Sequence, residues 1–87
     1  MYGIAILDSG NIAMNFCRIL EKKGYVFEVV STPCQIATSG CGYCMRFPIE
    51  FMNLIIEEGK ANNIKVREIY RVVRFGMKNR YEKVWIN

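Results

Sequence analysis

Hydrophobic positions change spacing several times along the chain, and each change predicts an element boundary. Tyr2 to Leu7 is a short apolar run closed by Asp8-Ser9-Gly10, the pattern of a strand followed by a turn and a helix cap. Ala13, Phe16, Cys17 and Leu20 then recur at i, i+3, i+4 and i+7, with Arg18, Glu21 and Lys22 on other faces, which predicts an amphipathic helix. Lys22-Lys23-Gly24 supplies its stop, and the β-branched and aromatic stretch Tyr25 to Val30 predicts a second strand. Residues 31 to 41 hold Pro, Gly, Ser and Thr without periodicity and read as a loop of the length that usually carries function. Tyr43, Met45 and Phe47 alternate with Cys44 and Arg46, the period of a half-buried third strand.

Pro48 suits the first position of a second helix, whose apolar face continues through Phe51, Met52, Ile55 and Gly59 to a stop near Asn62-Asn63. Ile64 and Val66 alternate with Lys65 and Arg67, after which Tyr70 and Val72 compete with Ile69 and Val73 for phase. A bulge near Glu68 reconciles the two. Gly76 to Asn79 reads as a turn and Tyr81 to Ile86 as a fifth strand at the sheet's edge.

The succession strand, helix, strand, strand, helix, strand is that of the α+β, ferredoxin-like split βαβ fold, here with a C-terminal strand or hairpin extension. The expected division is a ferredoxin-like domain over residues 1–72 and a basic extension over 73–87. Both helices would cover one sheet face. The other face must then be solvated or buried against a partner, and a homodimer is the expected assembly.

At 87 residues the chain has room for one core, and 52% hydrophobic residues with 23% charged fit a folded globular domain. No apolar run reaches membrane-spanning length and YGIAILDSG lacks signal-peptide features, so a cytoplasmic protein without membrane contact is expected. The net charge of +4 is uneven. Residues 1–70 carry seven basic and seven acidic side chains, whereas 71–87 carry five basic and one acidic. Arg71, Arg74, Lys78, Arg80 and Lys83, interleaved with Phe75, Tyr81 and Trp85, would suit single-stranded nucleic acid. They equally suit a charged edge that resists aggregation, which is the preferred reading, so nucleic acid is not the expected partner.

Three of four cysteines, Cys34, Cys41 and Cys44, fall within fourteen positions, and histidine is absent. Cytoplasmic thiols stay reduced, so these cysteines read as metal-binding, catalytic or buried before they read as disulfides. Without histidine, Cys/His metal sites and Cys-His catalytic pairs are excluded. Cys17, between Phe16 and Leu20 on the helix stripe, reads as core. Cys41-Gly42-Tyr43-Cys44 has the spacing of a redox dithiol but precedes a strand rather than the helix that activates one. Zinc would need all four cysteines or a second subunit, because there is a single CxxC knuckle. No metal or cofactor is assigned; redox and zinc-binding modules stay as alternatives.

Several stretches resemble a small bacterial family of selenium/sulfur carrier-like proteins, over Tyr2 to about Tyr70. They are the opening strand with its polar turn, Leu20-Glu21-Lys22-Lys23-Gly24, Thr32-Pro33, and Ser39-Gly40-Cys41-Gly42 leading through Arg46-Phe47. The resemblance implies a carrier or accessory protein rather than a stand-alone enzyme, with Cys41 as the thiol that holds a persulfide or selenopersulfide. It further implies a sulfur or selenium donor partner such as a cysteine desulfurase-type enzyme. Thr32, Pro33, Ser39, Gly40, Gly42 and Arg46 would form the binding surround, and Cys34 and Cys44 are candidate resolving thiols. Two positions depart from the family pattern: Cys34 stands where an arginine usually follows the proline, and Cys44 where a small apolar residue is usual. Carrier chemistry needs an accessible thiolate, and the amides of Thr38-Ser39-Gly40 could form an anion-holding nest beside it.

Overall fold

The computed structural model describes residues 1–37 and 42–87. One five-stranded antiparallel sheet, ordered β2-β3-β1-β4-β5, is built from β1 (Tyr2–Ile6), β2 (Glu28–Ser31), β3 (Tyr43–Pro48), β4 (Glu68–Phe75) and β5 (Lys78–Ile86). Two helices, α1 (Gly10–Lys22) and α2 (Met52–Ala61), complete a mixed α+β architecture. Among the described residues, no helix is long and apolar enough to cross a membrane.

Local chemistry sets the helix limits. The Ser9 hydroxyl accepts from the Ile12 amide and caps α1. At the far end the Tyr25 amide reaches the Leu20 carbonyl and the Gly24 amide that of Glu21, a Schellman stop in which Gly24 takes φ +96°. The same pair of bonds ends α2, from Ile64 to Gly59 and from Asn63 to Lys60, with Asn63 in the left-handed conformation.

The core lies between the helices and one sheet face. Phe16, Leu20 and Ala13 of α1 and Ile55 of α2 pack on Ala5, Met45, Phe47 and Ile69, all fully or almost fully buried. Burial of the larger of these side chains, from leucine to phenylalanine, contributes roughly 1.5–3 kcal/mol each. Tyr25, Phe27, Phe47 and Phe51 form a ring cluster along one margin, with centroids 5.6–6.2 Å apart. Tyr25 and Phe27 are therefore packing residues ahead of β2, which starts only at Glu28. Cys17 packs against the same core but is only half-buried.

Several details differ from the sequence expectation. Pro48 ends β3, a single 3₁₀ turn over Ile49–Phe51 follows, and α2 begins at Met52. Pro48 is extended, with ψ 133°, because it still pairs with Tyr2 at the end of the β1–β3 ladder. Ile64 and Val66 pack against the core from the connection before β4 rather than from within it. The register shift lies between Ile69 and Tyr70, whose partners are Trp85 and Lys83, so the additional residue is Val84 of β5 and not one near Glu68. Finally, the hairpin turn is only Gly76-Met77. Gly76 supplies φ +64°, and Lys78 and Asn79 already belong to β5. Position 72 falls inside β4, which β5 pairs along its whole length.

Gly59 marks the closest approach of α2 to the chain that follows it. A Cβ there would sit 2.9 Å from the Ile64 carbonyl oxygen and 3.1 Å from Val66 Cγ2. Helix propensity alone predicts that Gly59→Ala stabilises by about 1 kcal/mol. The backbone contact reverses the sign, and a loss of about 1–3 kcal/mol is expected in urea unfolding followed by circular dichroism.

Candidate functional site: a cleft at the strand ends

The segment carrying the loop cysteines leaves the sheet from β2 and returns in β3. Ser31 pairs with Tyr43, and one step beyond the ladder the Thr32 amide donates to the Gly42 carbonyl at 2.8 Å. On the outgoing side, the amides of Ile36 and Ala37 both donate to the Pro33 carbonyl, closing a turn that holds Cys34 at the surface. Thr38, Ser39, Gly40 and Cys41 lie outside the described residues. The nest expected of the first three and the carrier thiol expected of Cys41 therefore fall outside the described residues as well.

The two ends of this stretch border a cleft of about 520 Å³ at the end of the sheet. Thr32, Ile36, Ala37, Gly42 and Tyr43 form one wall, the Asp8-Ser9-Gly10 turn a second, and Arg67, Glu68 and Asn87 the third. The walls are tied together. Tyr43 packs so tightly over the start of α1 that a Cβ on Gly10 would be 3.1 Å from its ring. Arg67 is fixed through its amide to Ile6, through its carbonyl to the Asn87 amide, and through its Nε to Asp8 Oδ1 at 2.5 Å. Its guanidinium is half-exposed, so a cation with further donors borders the cleft.

Cys44 lies three residues beyond Cys41 and is fully buried. It faces away from the helices, opposite Val30 on the neighbouring strand. Burial pushes its thiol above the ordinary value, while a hydrogen bond from the Thr32 side chain pulls weakly the other way. The neutral thiol is the favoured form. Cys17 is pushed up to about 11, chiefly by burial and secondarily by the nearby Glu21 carboxylate. Among the described residues, no three cysteine or carboxylate side chains converge on a point that could hold a metal ion.

The predicted surround is thus divided. Thr32 and Gly42 meet at the cleft, whereas Pro33 and Arg46 line a groove on the open sheet face, where the Arg46 guanidinium lies 3.8 Å from the centre of the Tyr2 ring. Arg67 and Asp8 at the cleft went unnoticed in the sequence. They are 59 positions apart, and neither belongs to a motif. The nearest sequence signal was the helix-cap turn that contains Asp8.

Fold and cleft together define a small α+β domain that offers a cysteine-bearing loop at the end of an antiparallel sheet. Residues 2–71 match the family described as "Putative Se/S carrier protein-like", and the chain belongs to that family. No curated protein and no solved structure matches it.

The raised thiol of Cys17 gives the native state a pH dependence. The unfolded chain loses this proton near the ordinary value of 9.0 and the folded chain near 11, so the stability it contributes is complete below pH 9 and declines as pH rises through 11. Urea midpoints measured from pH 8 to 11 should fall less steeply for Cys17→Ala than for the natural chain. Parallel curves would remove the assigned cause.

Proposed function

We propose that the chain is a sulfur or selenium carrier that holds its cargo as a persulfide or selenopersulfide on Cys41. The observation that carries this reading is the family match over residues 2–71, joined to a cleft whose rim includes Gly42, the covalent neighbour of Cys41. A carrier family implies a donor. The Cys41 thiolate attacks the outer sulfur of a persulfide on the donor, a new S–S bond forms, the donor's S–S bond breaks, and the donor leaves as a thiolate. An acceptor nucleophile then takes the terminal atom and Cys41 returns as thiolate. The guanidinium of Arg67 is the cation on hand for these anionic species.

A second exit uses an internal thiol. Attack by the Cys34 thiolate on the inner sulfur of the Cys41 persulfide forms a Cys34–Cys41 disulfide and expels hydrosulfide, and an external thiol reductant restores both cysteines. Cys34, exposed on the turn, suits that role better than Cys44, whose sulfur is buried and held neutral. We read the strand order β2-β3-β1-β4, with two helices on one face, as the ferredoxin-like arrangement extended by β5. A desulfurase-type donor and a cytoplasmic setting accord with this function.

Incubation with a persulfide donor followed by intact-mass measurement tests the proposal. One additional sulfur is expected on the natural chain and on Cys34→Ser and Cys44→Ser, and none on Cys41→Ser. An adduct that persists in Cys41→Ser rules out Cys41 as the carrier thiol.

A further inference from the structure

The sheet face turned away from the helices is not uniformly solvated. Two parts of it are already satisfied internally. Lys83 pairs with Glu68 at 2.6 Å and lies over the Tyr70 ring, whose hydroxyl also donates to Glu68, so these charges neutralise one another and leave Tyr70 buried. Cys44 is fully covered. Between these patches runs a groove of about 740 Å³ across the sheet, from Val30 and Pro33 at one side to Asn79 and Tyr81 at the other. Its floor is Ile4 and Val72, flanked by the Tyr2 and Tyr81 side chains.

Among the described residues, two arginines, Arg46 and Arg74, line this groove and no carboxylate does. The carboxylate nearest to Arg46 is that of Glu28, 64% exposed and 3.9 Å from one terminal nitrogen, a distance at which the pair holds only loosely. Arg74 uses its Nε on the Gly76 carbonyl at 3.4 Å. Each guanidinium carries five donors, so both retain several for a ligand. The Arg46 guanidinium carbon also sits 3.8 Å from the centre of the Tyr2 ring, a platform that brings a π-face and a positive charge together. Apolar floor, aromatic rings and arginines with donors to spare on an antiparallel sheet make the combination that holds unpaired bases by stacking and their phosphates by charge.

We propose that this groove binds single-stranded nucleic acid, with bases stacked on the Tyr2–Arg46 platform and on Tyr81, and phosphates contacted by Arg46 and Arg74. A second copy of the chain is a poorer occupant, since it would bring the same two arginines against themselves. The groove is separate from the cleft at the strand ends. Pro33 and Arg46, expected in the carrier's surround, line the groove, while Thr32, Ile36 and Ala37 line the cleft, and the proposal uses none of the cleft residues.

The test is fluorescence anisotropy of a short, labelled, mixed-sequence RNA titrated with the full chain, alongside the same sequence as a duplex. Two phosphate contacts predict a single-strand salt slope near −1.4, so affinity should fall about sevenfold between about 50 and 200 mM salt. Tyr2→Ala should weaken binding by about fivefold or more. Arg74→Ala should weaken binding and flatten the salt slope by about 0.7. Arg46→Lys keeps the charge and loses the planar stack, so it should lower affinity while leaving the slope in place. Lys22→Ala, on the exposed side of α1, should change nothing. Val72→Glu, which places a carboxylate in the groove, checks the result if Tyr2→Ala proves unstable. Absence of saturable binding, equal affinity for the duplex, loss with Lys22→Ala equal to that with Arg74→Ala, or a groove found by light scattering to mediate self-association would each overturn the proposal.

Discussion

The bond from the Thr32 amide to the Gly42 carbonyl is the contact on which the site depends. It extends the β2–β3 ladder one step past Ser31 and Tyr43, and so brings together the two ends of the segment that bears Cys34 and Cys41. Closing a loop of this length costs conformational entropy that grows only slowly with added residues. The ladder behind it, from Glu28–Arg46 to Ser31–Tyr43, supplies the compensating contacts. Tyr43 then seats on Gly10 and fixes the segment against the start of α1, while Asp8 holds Arg67 across the cleft. Sequence positions far apart thereby converge on one end of the sheet.

The same strand, β3, separates two environments by the alternation of its side chains. Met45 and Phe47 enter the helix-covered core, whereas Cys44 and Arg46 face the other side. That second side is held in water by long side chains laid over rings, Arg46 on Tyr2 and Lys83 on Tyr70, so that apolar floor and charged rim coexist without a second helix layer. Burial of Cys44 also sets it apart from Cys34, which is exposed on its turn. A neutral, enclosed sulfur is a poor nucleophile.

Much of this was legible in the residues. Helix stops at Gly24 and Asn62-Asn63, the alternating third strand and the long polar loop each carry a local signature, and the family resemblance rested on the same stretches. Pro48 misled because proline is equally at home at a strand end and a helix start. The phase of β4 misled for a physical reason too: Ile69 and Tyr70 are both buried although they point to opposite faces, since Lys83 and Glu68 cover the second. A period-of-two reading assumes one dry face; the register shift does fall beside Glu68, but its additional residue lies in β5. The cleft's cation, Arg67, was invisible because its role comes from pairing across 59 positions. Cys44 read from the sequence either as a resolving thiol or as a small residue on the sheet face opposite Tyr43 and Met45, and the cover that Thr32 and Val30 help provide is not visible there.

The proposed function requires Cys41 to exchange cargo with partners, whereas Cys44, three residues on, is enclosed. Timed alkylation of the native chain, with each site quantified by peptide mass spectrometry, addresses that contrast directly. Cys41 should be labelled about as fast in buffer as in denaturant, while Cys44 should stay protected until the chain unfolds. Equal protection of both cysteines, or equal labelling of both, would contradict the account.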